Sequence, residues 1–360
     1  MPRRHATSAL ACLLAVSAIA AGCGSGSDTS GSGAEIATNK PAPPKSAFPA
    51  TEGRTLGEIV KAADSHAELV VSPAALVFYK GVNRYPFGIF QPDRTQVGDA
   101  EVALYVARVP SAQVGGTGAN VTSEAERGAI AKAREEALEQ PAIGPYPAEI
   151  ESLATQPAFR AQTTSSDPDA ATAVYVTDVD FPSNGEWRIA ALIKQGDEVA
   201  ATLLPSASVG EFKSIPKVGE RAPKIHTPTA ADAGGDLAKI TTRIPPDTQN
   251  KIDYADALGK EPIMLLFATP QFCQSRVCGP VVDVAEQVKE QYGDEAAFIH
   301  MEIYNDNDPN KGARAQVKAF HLPSEPWLFA IDRKGVIRAQ LEGAFGVRGL
   351  TDAVQKAIGK

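Results

Sequence analysis

Cysteine and histidine are scarce in this chain of 360 residues, with four of the first and five of the second. The histidines do not cluster. His66 and His226 lack a partner at ligand spacing, which removes a metal or general-base cluster from the middle of the chain. Basic charge is not in excess either. Thirty-five Lys and Arg against 43 Asp and Glu leave a net charge of -8, which argues against a nucleic-acid partner, because such binding needs cations to neutralise phosphates. No apolar run reaches the roughly 20 residues of a membrane-spanning helix with a stop-transfer flank. No residue set implies a cofactor.

What is present describes folded domains. Hydrophobic residues make up 43% of the chain and charged residues 22%, a balance that excludes a wholly disordered protein. At about 150 residues per domain the length accommodates two or three cores. The cysteines fall into two separate groups, Cys12 with Cys23 and Cys273 with Cys278.

Arg3, Arg4 and His5 precede an apolar run from Ala9 to Ala21, the pattern of an exported leader. The run ends in Ile19-Ala20-Ala21-Gly22-Cys23, which resembles a bacterial lipobox with Ala20 in place of the preferred Leu. That resemblance implies a signal peptide over 1–22, with a diacylglycerol on Cys23 and a further acyl chain, such as palmitate, on its amine. Two chains anchor stably where one is marginal. The Gly/Ser-rich and then Pro-rich stretch through residue 50 reads as a flexible tether (23–50), with a coil reach of about 30 Å. A location on the outer side of the cell membrane, held there by lipid, follows as an expectation.

Residues 51–214 read as a β-sandwich. Short runs such as Leu69-Val70-Val71, Ala75 to Tyr79, Val102 to Ala107, Ala173 to Val176 and Trp187 to Leu192 are separated by turn residues. The segment from Tyr175 through Phe181-Pro182 and Gly185 to Trp187 is similar to a late-strand pattern of immunoglobulin-like accessory domains. A polar insertion interrupts the series at about 109–170. It is expected to hold an exposed helix over Ser123 to Gln140, capped by Thr122 or Ser123, followed by a Pro-rich loop. Five prolines between Ile215 and Pro246, with Ala233-Gly234-Gly235 among them, suggest a linker over 215–235. Val218-Gly219 with Ala222-Pro223 resembles the approach to extracytoplasmic thioredoxin-like domains.

The last stretch, 236–360, holds the chemistry. Pro262 to Ala268 is a continuous apolar run, as a strand covered on both faces requires. Val281, Val284, Ala285, Val288 and Tyr292 make one helical stripe, and Leu350, Val354 and Ile358 another. Ala296 to Ile303 and Trp327 to Ile331 are further strands, and Asp332-Arg333-Lys334-Gly335 turns the chain back. The order β, helix, β, helix, β, β, helix resembles the thioredoxin fold. So do "LLFATPQFC", ending at Cys273, and "LPSEPWLFAIDRKGVI", which places the family's cis-proline at Pro326. The fold class expected is therefore a β-sandwich followed by an α/β thioredoxin fold.

A thiol at a helix start meets unpaired N–H groups and the positive end of the dipole, which favour thiolate. The resemblance assigns attack to Cys273 and resolution to Cys278. It departs from the family in three ways: four residues separate the cysteines, Phe267 stands where a buried carboxylate is usual, and Glu325 precedes Pro326. The second and third departures lead us to expect slower chemistry. Thr269 lies four residues before Cys273, which excludes the Thr-x-x-Cys pocket of a peroxidase. Three readings stay open. One is a thiol–disulfide oxidoreductase acting on exported or membrane-associated protein thiols and disulfides. Another is a noncatalytic binding module stapled by a Cys273–Cys278 disulfide. The third is copper handling, for which only His300 and His321 are to hand and neither has the expected setting.

Overall fold

The computed structural model describes residues 38–66, 68–110, 124–167, 170–273 and 277–360. The expectations for residues 1–37, Cys23 and its lipid included, lie outside that set, as do the proposed caps Thr122 and Ser123. Helix α1 (Leu56–Lys61) starts with a reciprocal capping box, in which Thr55 Oγ1 accepts from Glu58 N and the Glu58 carboxylate accepts from Thr55 N. Eight strands follow: β1 (Ser65–His66), β2 (Val70–Pro73), β3 (Gly81–Phe90), β4 (Glu101–Arg108), β5 (Ile143–Ser152), β6 (Ala173–Phe181), β7 (Gly185–Gln195) and β8 (Glu198–Val209). Helix α2 (Glu124–Glu136) lies between β4 and β5, and the single turn α3 (Gln162–Ser165) between β5 and β6.

The strands are ordered β1-β8-β7-β4-β5-β6-β3-β2. A sheet this long curls, and its two ends approach one another. Phe78, just past β2, bridges Val209 at the end of β8, and Thr202 Oγ1 donates to Leu69 O at 3.2 Å. The result is a nearly closed sandwich. Alternation is legible on β4: Val102, Leu104 and Val106 point into the sandwich core with Phe87, Tyr175 and Ile189. Ala103, Tyr105 and Ala107 point outward yet are buried beneath Leu56 and Ile59 of α1. Two covered faces account for the unbroken apolar run of that strand.

One expectation needs correction. Residues 143–152, assigned to a Pro-rich loop of the insertion, form β5, which pairs with β4 on one side and β6 on the other. Pro145 and Pro147 hide it from a sequence reading, since prolines are normally confined to edges and bulges. Here the β4–β5 ladder is irregular between Leu104 and Val106, beside Pro145. Helix α2 is exposed as expected, with Ala133 its buried residue.

The second domain begins with α4 (Tyr254–Ala257) and β9 (Ile263–Phe267), then α5 (Cys278–Tyr292), β10 (Ala297–Met301), α6 (Ala315–Ala319), β11 (Trp327–Ile331), β12 (Ile337–Glu342) and α7 (Val347–Ile358). Its sheet runs β10-β9-β11-β12, with β9 and β10 parallel and β11 antiparallel to both neighbours. Met264, Leu266 and Leu328 pack under α5 and α7, whereas Leu265, Phe267 and Phe329 pack on the opposite face with Phe320. This is the thioredoxin-like topology.

The 215–235 segment partly joins that sheet. Gly219 N donates to Ile337 O at 2.9 Å, Ile337 N to Glu220 O at 2.9 Å and Ala222 N to Gly335 O at 3.0 Å. The two domains are also tied together by buried polar groups. Glu342, at the end of β12, accepts from Leu76 N at 2.9 Å and Val77 N at 3.0 Å. Glu151 on β5 accepts from Gly346 N at 2.7 Å, and Arg84 Nη2 donates to Ala344 O at 2.8 Å.

Gly343 sits in the middle of this seam with φ of 75°, and a Cβ there would lie 1.9 Å from Ala74 O. Gly343→Ala therefore meets backbone on both counts, the positive φ and the close approach. It is expected to cost on the order of 3 kcal/mol or more, read as a lowered midpoint in chemical denaturation. A loss below about 0.5 kcal/mol would mean that the seam is not held this closely.

Candidate functional site

Strand β9 is buried along its whole length and leads into the turn Thr269-Pro270-Gln271-Phe272 before Cys273. Five residues further on, Cys278 opens α5, a helix of 15 residues. The two are joined as a disulfide with Cα atoms 5.8 Å apart. They differ in access. Cys278 is fully buried among Val281, Val282 and Leu328, while Cys273 is half-buried. Cys278 N donates to Cys273 Sγ at 3.3 Å, so the first free amide of the helix already points at the outer sulfur. That contact and the dipole both favour negative charge on Cys273.

Pro326 is buried and the Glu325–Pro326 bond is cis, as the resemblance implied. Glu325 reaches back, so that its carboxylate and the two sulfurs all lie within 4.8 Å of one another. Burial, followed by repulsion from the Glu302 carboxylate, pushes the Glu325 acid up to about 7. Near neutral pH it holds a proton part of the time, next to the sulfurs that need one when they part. Phe267, where the family carries its carboxylate, belongs to an aromatic cluster with Phe320 and Phe329 on the opposite face of the sheet. The carboxyl that meets the sulfurs is that of Glu325, in the loop before Pro326.

Beneath the turn lies a polar layer that sequence reasoning missed. Thr241, Thr242, Arg243, Asp247, Gln249 and Asn250 are all buried. Thr242 supplies both its N–H, at 2.7 Å, and its hydroxyl to Glu302 Oε1, and Gln271 N in the cysteine turn donates to Thr242 Oγ1 at 3.2 Å. His300, in the middle of β10, has its Nδ1 2.8 Å from Asp247 and its Nε2 3.1 Å from Ala268 O. A carbonyl can only accept, so Nε2 carries a hydrogen there, and Asp247 draws a second to Nδ1. Burial disfavours the charged form of each residue. Nevertheless the Asp247 charge and hydrogen bond, helped by Glu302 and the Ala268 carbonyl, hold His300 at about 9. His300 and its neighbours in turn hold Asp247 at about 2. The available signal was a lone His in the apolar run Ala297–Met301, since a charged group inside a covered strand requires a buried partner.

The sandwich also reaches this layer. Arg243 donates through Nε to Asp283 on α5 at 2.9 Å and through Nη2 to Phe159 O at 2.7 Å, and Ala161 N donates to Asp283 at 3.1 Å. The loop between β5 and β6 therefore braces the helix that carries Cys278.

Of the histidines considered for copper, His300 has both nitrogens engaged, and His321 lies in an exposed turn with φ of 53°. Neither joins the cysteines. Among the described residues no helix is long and apolar enough to cross a membrane.

No protein family matches the chain, and no curated protein matches it. Among solved structures, one from Chlorobium tepidum described as a thiol:disulfide interchange protein DsbE is similar. It shares 14% identity over 40% of this chain and 99% of its own, with a TM-score of 0.28. Likeness at that level carries no weight; the thioredoxin-like topology is seen in the strand order and in the disulfide at the start of α5.

Removing one member of a buried ion pair strands the other, at a cost of about 3–5 kcal/mol. Asp247→Asn is expected to lose that much in denaturant titrations. The pH dependence should also change. The His300 contribution is complete below its unfolded value of 6.5 and disappears as pH rises through about 9. The Asp247 contribution is complete above 3.8 and disappears as pH falls through about 2. Wild type should therefore weaken between pH 6.5 and 9 relative to Asp247→Asn; parallel pH profiles would refute the charged pair.

Proposed function

We propose that this chain is a thiol–disulfide exchange protein acting on exported or membrane-associated protein thiols and disulfides. In this reading it is held at the outer face of the cell membrane by lipid on Cys23, and the tether read over 23–50 is shorter than that, because Lys40 exchanges hydrogen bonds with Ile150 of β5 and Phe48 is buried with Leu56 and Ile59. The immunoglobulin-like sandwich, over 51–214, braces and presents the thioredoxin-like domain, over 236–360. The observation that supports the chemistry best is the asymmetry across the disulfide: an outer sulfur on an accessible turn, contacted by a helix-start amide, and an inner sulfur in the core.

In the reduced protein the Cys273 thiolate attacks one sulfur of a substrate disulfide, forming a mixed disulfide and expelling the other substrate sulfur as thiolate, which takes up a proton. The Cys278 thiol then gives up its proton, attacks Cys273 Sγ and expels the second substrate thiolate. Two electrons pass from protein to substrate and the Cys273–Cys278 bond is restored. Run backwards, the same steps oxidise a substrate dithiol. A Glu325 oxygen within 4.8 Å of both sulfurs supports that residue as acceptor and donor of the proton that Cys278 exchanges.

The alternative, a binding module with a structural staple, draws on Phe267 occupying the family's carboxylate position. One experiment separates the two. With Cys278→Ser the intramolecular escape is removed, so Cys273 should accumulate a mixed disulfide with its partner in the native envelope under mild oxidation. Mass identification of the bonded cysteine reads the outcome. An adduct formed only through Cys278 in a Cys273→Ser variant would reverse the roles. No adduct in either variant would support the staple.

A further inference from the structure

Among the described residues Glu325 makes no hydrogen bond and no ion pair, although it is half-buried and its carboxylate is directed at the sulfurs. Behind it, Glu302 is fully buried with Oε2 unpartnered, and the neighbouring ring is Tyr304. Once the disulfide opens, two thiols and a carboxyl converge on one point. We propose that the reduced Cys273–Cys278 pair and Glu325 form a three-ligand site for a divalent cation of the zinc class, which leaves one tetrahedral position for a further ligand. The disulfide is then a lock on that site as well as a redox centre.

The chemistry balances. A dithiol supplies two electrons and two protons and is itself oxidised to a disulfide; a phosphine supplies the two electrons and becomes its oxide, with the oxygen and both protons coming from water, so that in either case the disulfide becomes two thiols. The cation then replaces the thiol protons, together with the carboxyl proton where Glu325 carries one, and these protons leave to solvent. Two thiolates and one carboxylate give a formal charge of -3 facing a +2 ion. Thiolate and carboxylate are both ordinary zinc ligands. A tetrahedral site with bonds of about 2.3 Å to sulfur and about 2.1 Å to oxygen places its ligand atoms roughly 3.6–3.8 Å apart. A Glu325 oxygen lies within 4.8 Å of both sulfurs, which are bonded to each other now and separate on reduction, and Cys278 N already contacts Cys273 Sγ in a way that stabilises thiolate. Cu(I) is satisfied by two thiolates and gains little from a hard carboxylate, so dependence on Glu325 distinguishes the two metals.

The proposal rests on the thiol reading above only in needing the disulfide to be reducible. The test is a titration of the full chain, reduced with a phosphine that is then removed, using Cd(II) followed by its ultraviolet sulfur-to-metal band and Zn(II) followed by competition with a chromophoric chelator. One equivalent bound by the reduced chain and none by the oxidised chain is expected. Glu325→Gln should weaken Zn(II) by at least about tenfold, the lower bound even for an outer-shell partner, and Cys278→Ser should abolish the cadmium band. Recovery of the disulfide on reoxidation of Glu325→Gln serves as its folding control. Absence of binding by the reduced chain, Zn(II) affinity unchanged in Glu325→Gln, or a disulfide that resists the phosphine would each overturn the site. Exchange with a small disulfide, measured on the same preparation with chelator present, fails or succeeds independently and so reports on the oxidoreductase reading alone.

Discussion

A histidine inside a fully covered strand has two ring nitrogens to satisfy and no water to do it. In this protein that constraint organises everything below the cysteines. His300 reaches Asp247 with one nitrogen and the Ala268 carbonyl with the other. The first contact fixes the 241–250 segment under the sheet, and the second fixes the residue from which the cysteine turn departs. Thr242 then serves Glu302 and Gln271 together, while Arg243 ties Asp283 on α5 to the sandwich loop at Phe159. A buried pair of this kind adds little net stability over an apolar core, and its value lies in holding one geometry. Here the geometry held is that of the turn before Cys273 and the helix after it.

The same layer accounts for the acidity of the site. Glu302 is held by Thr242 on one oxygen and left unpartnered on the other. Its charge, after burial, is what raises Glu325. A carboxyl that titrates at about 7 beside the two sulfurs gives the protein a proton donor and acceptor that the Phe267 position cannot supply. Its cost is an electrostatic one, because whenever Glu325 is charged it opposes a second negative charge on Cys273.

Much of this was legible in the sequence because it is written in local terms. The apolar run of β9, the stripe of α5 and the turn at Asp332 to Gly335 each follow from periodicity or turn chemistry within a dozen residues, whereas the Pro326 loop is legible only through its resemblance to the thioredoxin segment. What was not legible depends on distant partners. β5 contains two prolines and survives as an inner strand only because β4 and β6 pair with it on either side. The polar run from Thr241 to Asn250 reads as loop, and its burial is dictated by His300 and Glu302, some 50 residues later. The Pro-containing segment before it is likewise drawn onto β12 by backbone hydrogen bonds that no spacing rule foresees.

Everything proposed for the site requires the Cys273–Cys278 bond to open and close under the conditions of its compartment. The most direct measurement is its reduction potential, obtained by trapping free thiols across a graded dithiol–disulfide buffer. Exchange chemistry predicts a value within the range of known exchangers, about -270 to -120 mV. A value below about -300 mV, where structural disulfides lie, would contradict the account and leave the pair as a staple.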